Sequence, residues 1–258
     1  MKNYDVVKPI GLGETCNSVS ANCSKAAIFK RSGLKPHHYI IHLDAGQGRS
    51  TLLEYIADMY KNNEILNFGS GLDDYLELCF DGTYNNFRNA VETVLDAAVY
   101  SDSYKGVIGI NASALAAHRQ ETQWAEFNTF MKEISKSANL IFFVDYEPSK
   151  YDEFIINAVK SNISNVEELF ETPYSFDEYV DIIVRNIEDK GINIENQSDF
   201  KCLLIDVVSS ENIAIVKDAI RVADEIIQFA DFSEFVPTVS AVNIKSLSNG
   251  KSILGGTK

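Results

Sequence analysis

The sequence predicts an α/β fold: a parallel sheet core spanning about residues 31–172, followed by a small helical lid over 173–234. Three observations carry that expectation. Short apolar runs alternate with segments of helical period, the pattern of βα units that bury a sheet between helices. One apolar run passes through a glycine-containing loop straight into a helical segment. After Phe170 the alternation stops and helical periodicity alone continues.

In chain order, residues 1–30 read as an N-terminal linker, with Gly11-Leu-Gly13 as a flexible turn within it. The predicted strands are Tyr39–Leu43, Glu64–Phe68 or Leu76–Phe80, Val107–Ile110, Leu140–Val144 and Val166–Phe170. Each is strand-sized, rich in apolar residues and without interior proline. In Thr51–Tyr60 the residues Leu52, Leu53, Ile56 and Met59 recur at helical spacing, and Trp124, Phe127, Phe130, Met131 and Ile134 repeat it. Such a stripe belongs to a core, not to a ligand box. Pro173 breaks the chain, and Ser175 with Glu178 three residues on forms a capping-box pattern. Ile182, Ile183 and Ile187 give that helix its apolar side, and Gly191 a stop. A second helix is expected over about Ser210–Ala230, with Ile213, Val216, Ile220, Ala223 and Ile227 on one face. The serine-, glycine- and lysine-rich residues 235–258 read as a flexible tail.

Composition excludes several functions. The 258 residues carry 23 Lys+Arg against 37 Asp+Glu, a net charge of -14. Duplex DNA binding needs clustered cations, so no nucleic-acid partner is expected. No apolar run approaches the ~18 residues of a membrane span, and the N-terminus lacks the apolar stretch of a secretion signal. A cytoplasmic location and no membrane partner are the expectation. Cys16, Cys23, Cys79 and Cys202 form no C-x-x-C pair. His37, His38 and His42 have no carboxylate or thiolate at ligand spacing, so they read as a loop pair entering a strand.

The chemistry concentrates in His38-Tyr-Ile-Ile-His-Leu-Asp-Ala-Gly-Gln-Gly-Arg-Ser-Thr51. A strand, a glycine loop and a helix N-terminus converge backbone N–H groups on one point, where the helix dipole favours an anion. Gly46 and Gly48 permit the tight path, and a hydroxyl such as Ser50 can ligate Mg²⁺.

This stretch resembles the phosphate loop of P-loop ATPases, G-x-x-x-x-G-K-[ST], with Leu43 at the first glycine and Arg49 at the lysine. From about Ser32 to Asp224, about three-quarters of the chain, the order of elements is similar to AAA+ ATPases of the CbxX/CfqX branch. The segments Ile141-Phe-Phe-Val-Asp-Tyr-Glu147 and Val166-Glu-Glu-Leu-Phe-Glu-Thr-Pro-Tyr-Ser-Phe-Asp-Glu-Tyr-Val180 extend that likeness. The resemblance implies an AAA+-like core with ATP and Mg²⁺ as cofactors. It places Asp44, Ala45, Gly46, Gln47, Gly48, Arg49, Ser50 and Thr51 around the phosphates, with Ser50 on the metal.

The family's metal-holding Asp and water-activating Glu belong at the end of the third strand, where this chain has Asn111 and Ala112. Asn111 can still meet the metal's water shell; Ala112 cannot polarise water. Asp145 falls at the position that reads the γ-phosphate. Alternatively, with its strand beside the Tyr39 strand, Asp145 holds the metal and Glu147 acts on water. Lys160–Val166 contains no arginine finger, a device worth ~10³–10⁵ in rate, and Arg221 is the lid residue positioned to reach the nucleotide. Arg binds phosphate well but is not a compact point charge like Lys. The expected function is therefore a degenerate ATPase-like module with weak ATP binding and impaired hydrolysis. It would serve as a regulatory or scaffolding subunit beside a protein partner or an AAA+ neighbour in a ring-type oligomer. The alternatives are an active protein remodeller using Asp145, Glu147 and Arg49, and a scaffold whose pocket is filled by side chains such as Leu43.

Overall fold

The structure is a computed structural model that describes residues 6–33, 35–66, 74–78, 89, 106–117, 121–211, 213–231, 233, 236–242 and 244. The expected strand ends at Phe68 and Phe80, and the tail lysines Lys245, Lys251 and Lys258, lie outside the described residues. The chain divides into two compact units, Met1–Thr172 and Pro173–Lys258.

The first unit is a parallel sheet covered on both faces. Its strands are β1 (His38–His42), β2 (Tyr75–Leu78), β3 (Val107–Asn111), β4 (Asn139–Val144) and β5 (Val166–Phe170), in the order β2-β3-β4-β1-β5. Every neighbouring pair is parallel; Tyr39 lies opposite Ile141 on one side and Glu167 on the other. β1 and β4 are buried throughout, which is why neither alternates apolar with polar residues along its length. The pleat sends successive side chains to opposite faces. Ile40, Leu140 and Phe142 pack with Phe127, Phe130, Met131 and Ile134 of helix α5 (Glu121–Ile134) and Ile155 and Val159 of α6 (Lys150–Asn162). The short α4 (Ala112–Ala117) follows β3 directly. On the opposite face lies α3 (Arg49–Asn62), close enough that a Cβ on Gly109 of β3 would meet Leu53 Cδ1 at 2.4 Å.

Of the two alternatives for the second strand, the residues of Tyr75–Leu78 form it, while Glu64–Leu66 make a turn. Residues 1–30, expected as a linker, instead carry α1 (Gly13–Ser24) and α2 (Ala26–Ser32). Leu12, Cys16, Val19 and Cys23 are buried, and the Glu171 carboxylate, just past β5, accepts the N–H of Thr15 at 2.6 Å and of Glu14 at 3.3 Å. The small apolar residues of α1 make a weak periodicity, so its docking comes from tertiary contact and not from a sequence stripe.

The described residues of the second unit include the helices α7 (Phe176–Asp189), α8 (Gln197–Ser210) and α9 (Val216–Ile227), and a parallel pair β6 (Asn193–Ile194) with β7 (Thr238–Val239). The Ser175–Glu178 capping box forms, with Glu178 N donating to Ser175 Oγ at 3.3 Å and Ser175 N donating to Glu178 Oε2 at 2.7 Å. Gly191 follows in the left-handed region at φ 74°. The helix expected over Ser210–Ala230 starts only at Val216, and its buried face is Ala219, Val222, Ala223 and Ile226, leaving Ile220 exposed. Small alanines fill the tight contact with neighbouring helices, so the largest apolar residues do not mark the buried stripe. α8, which the sequence did not announce, buries Phe200, Leu204, Val207 and Val208 in the same core.

Candidate functional site

The site lies where β1 ends, between β4 and β5 in the sheet. The ladder continues one residue past β1, Leu43 N donating to Val144 O at 2.7 Å. The chain then turns through residues 44–48 and enters α3. Gln47 N donates to Asp44 O at 3.3 Å to close the turn. Gly46 and Gly48 both sit at φ 83°, a conformation that disfavours any side chain, and Gly48 caps α3. Ala45 and Gly46 at the loop crest are exposed, as are Ser50 and Thr51 on the first turn of α3, while Gln47 is buried.

Arg49 does not reach out of this loop. It is only 6% exposed. Its Nε donates to Leu43 O at 2.8 Å, and its Nη2 donates both to the same carbonyl and to Asp145 Oδ1, the latter at 3.0 Å. The guanidinium also lies over the Phe143 ring, 5.3 Å from the centroid. Burial pulls the Arg49 pKa below its ordinary value; the negative charges of Asp145, Asp44 and Glu77 oppose that pull. One guanidinium thus sits among three carboxylates.

The other expected residues divide into those joined to this cluster and those set apart. Asp44 turns one carboxylate oxygen to the N–H of Tyr146 at 2.8 Å, tying the loop to the segment after β4. Asp145 N in turn donates to Ser113 Oγ at 3.0 Å. Ser50 Oγ donates to Glu77 Oε2 on β2 at 2.6 Å. Asn111 directs its Oδ1 to the N–H of Ala114 at 3.1 Å, at the start of α4. Ala112 is fully buried. Glu147 is exposed, and Arg221 lies on α9 of the second unit, 3.5 Å from Asp218. Glu77, Ser113, Phe143 and Tyr146 join the site without a sequence signal. Only the pairing of strands distant in the chain brings them there.

The donor set can be weighed against Mg-ATP. Two left-handed glycines and the N-terminus of a fourteen-residue helix fit a polyphosphate. For the metal, Ser50 offers a hydroxyl with the Glu77 carboxylate beside it. The end of β3 offers only the helix-capping Asn111. No group of three or more His, Cys, Asp or Glu able to hold a metal by itself exists among the described residues.

No protein-family model matches the chain, and no curated protein does. Solved structures do. RuvB from Thermotoga maritima, described as a Holliday junction branch migration motor, superposes with a TM-score of 0.57 at 13% identity, over 92% of this chain and 68% of that one. Two point mutants of that RuvB give TM-scores of 0.54 and 0.55 at 13% identity, each over 92% of this chain. The chain therefore shares the fold of these structures, with a parallel five-strand sheet and surrounding helices. No helix among the described residues is long and apolar enough to cross a membrane.

Proposed function

We propose that this chain is a degenerate AAA+ module, similar to the CbxX/CfqX branch, that binds ATP weakly through residues 44–51 and hydrolyses it poorly. It acts as a regulatory or scaffolding subunit beside a protein partner or an AAA+ neighbour, in a ring-type assembly in the cytoplasm. The observation that carries the reading is the end of β3. Asn111 there is committed to an N–H of α4 and Ala112 is buried, so no carboxylate stands there to polarise water. Weak binding follows from Arg49, whose Nε and Nη2 already have acceptors inside the protein. Bound Mg²⁺ would neutralise phosphate charge, and Ser50 with Glu77 would hold its shell. The acidic balance supports a protein partner over nucleic acid.

One observation favours a second reading, the active remodeller. β4 lies beside β1, and Asp145 touches Arg49, so Asp145 could hold metal with Glu147 acting on water. Two measurements separate the readings. Ligand at ~100 Kd stabilises by ~2.7 kcal/mol, several degrees in melting temperature, so millimolar Mg-ATP should raise Tm and Arg49→Ala should abolish the rise. Phosphate release should stay at background. Steady turnover lost in Asp145→Asn and Glu147→Gln would establish the remodeller instead, and no Tm shift at all would leave the scaffold.

A further inference from the structure

We propose that Asp145 is an internal latch: its carboxylate holds the Arg49 guanidinium inside the loop, in place of a phosphate oxygen, so an anion must displace Asp145 to bind. The inference rests on the reading that residues 44–51 take phosphate.

Arg49 has three partners, and they differ in what a ligand can do to them. The Leu43 carbonyl, one residue past β1, and the Phe143 ring on β4 are buried, and no solute replaces them. The Asp145 side chain is 49% exposed and carries the only charge among the three. A phosphate arriving at the helix N-terminus offers the same kind of acceptor, a charged oxygen that a guanidinium binds well. It can therefore exchange with Asp145 while Arg49 keeps its bond to Leu43.

The backbone that carries this carboxylate is also held in place. Asp145 N is tied to Ser113 Oγ, the next residue's N–H to Asp44 Oδ1, and Val144 O to Leu43 N. The backbone of residues 144–146 is thus fixed to Leu43 and Asp44 on one side and to Ser113 on the other, and the latch needs no reordering to stay closed. Asp44 and Glu77 add negative charge around the same guanidinium, so removing the Asp145 charge both frees Arg49 and lessens repulsion of an anion. Both effects have one sign: Asp145 opposes anion binding, the reverse of a residue that reads a phosphate or holds its metal.

The test compares the full-length chain with Asp145→Asn, and with Asp145→Ala, which cannot bond Arg49 through a side-chain amide. Inorganic tripolyphosphate and Mg-ATP are the probes in calorimetric titration. Apparent affinity scales with the fraction of molecules whose Arg49 is released. A half-exposed ion pair then predicts binding roughly three- to fivefold tighter in the variants. A second readout needs no ligand: phenylglyoxal modification of Arg49, followed by mass spectrometry with exposed Arg31 as internal reference, should speed up in both variants. Weaker binding in the variants overturns the latch and gives Asp145 a direct role at the phosphate. Unchanged binding and unchanged modification overturn the latch while the phosphate-loop reading stands. Binding by none of the proteins at millimolar probe overturns that reading, and with it the latch as an anion gate.

Discussion

His38 makes the stability of the first unit depend on pH in a direction that can be worked out from its contacts. The residue opens β1 with only 5% of its surface exposed, and its Nδ1 accepts the N–H of Leu140 at 3.0 Å. That bond requires a bare Nδ1, so the folded ring is neutral with its proton on Nε2. Protonation would break the bond and place a charge in a dry site near Lys35 and His37. Burial first, then those two neighbours, lower the pKa from 6.5 to about 4. Between these values the unfolded chain holds a proton that the folded chain refuses, so stability rises with pH across the window. It is complete above pH 6.5 and drains away as pH falls toward about 4. At 1.36 kcal/mol per pKa unit the whole window is worth about 3 kcal/mol, and about 2 kcal/mol is gone by about pH 5. Urea denaturation followed by fluorescence of Trp124, the single tryptophan and within this unit, measures the loss. His38→Asn keeps an acceptor near the position of Nδ1 but cannot titrate, so its stability should be flatter over that range by the same amount. Equal pH slopes in the two proteins would refute the reasoning.

Two further outcomes follow from close contacts. Glu171→Ala leaves the first N–H groups of α1 without their buried acceptor; charge-assisted bonds of this kind make that cost roughly 1.5–3 kcal/mol. Hydrogen exchange should then show α1 amides losing protection before those of the sheet, and unaltered α1 protection would disprove the tether. Gly109→Ala drives a Cβ to 2.4 Å from Leu53 Cδ1 and 3.2 Å from its Cγ, an overpacking worth about 1–3 kcal/mol. The clash should vanish when Leu53→Ala is added, so that the double variant loses less than the two single losses added together.

What could be read along the chain was whatever neighbours in sequence decide. The Ser175–Glu178 box needs two residues three apart; the buried strands show as apolar runs because both faces are covered; the turn at 44–48 shows because its backbone requires glycine at φ 83°. These features legibly marked the parallel sheet, its position and the glycine loop after β1. α1, with small residues on its inner face, and α8, without an obvious stripe, were not legible, because burial against other elements stabilises them more than their own periodicity does.

The direction of Arg49 belongs to the same second class. As a residue type it announces phosphate, but its guanidinium meets Leu43 O six residues back and Asp145 ninety-six residues on. Glu77 reaches Ser50 from twenty-seven residues away. Such meetings exist only once the strands take the order β2-β3-β4-β1-β5, which sets β4 against β1 and aligns Glu77 with Gly109. The sequence by itself determined the α/β class and the glycine loop, since backbone hydrogen bonding and hydrophobic period are local demands. Tertiary structure alone decided that the loop's cation turns inward to a carboxylate. A buried charge must find its partner wherever packing brings one within reach.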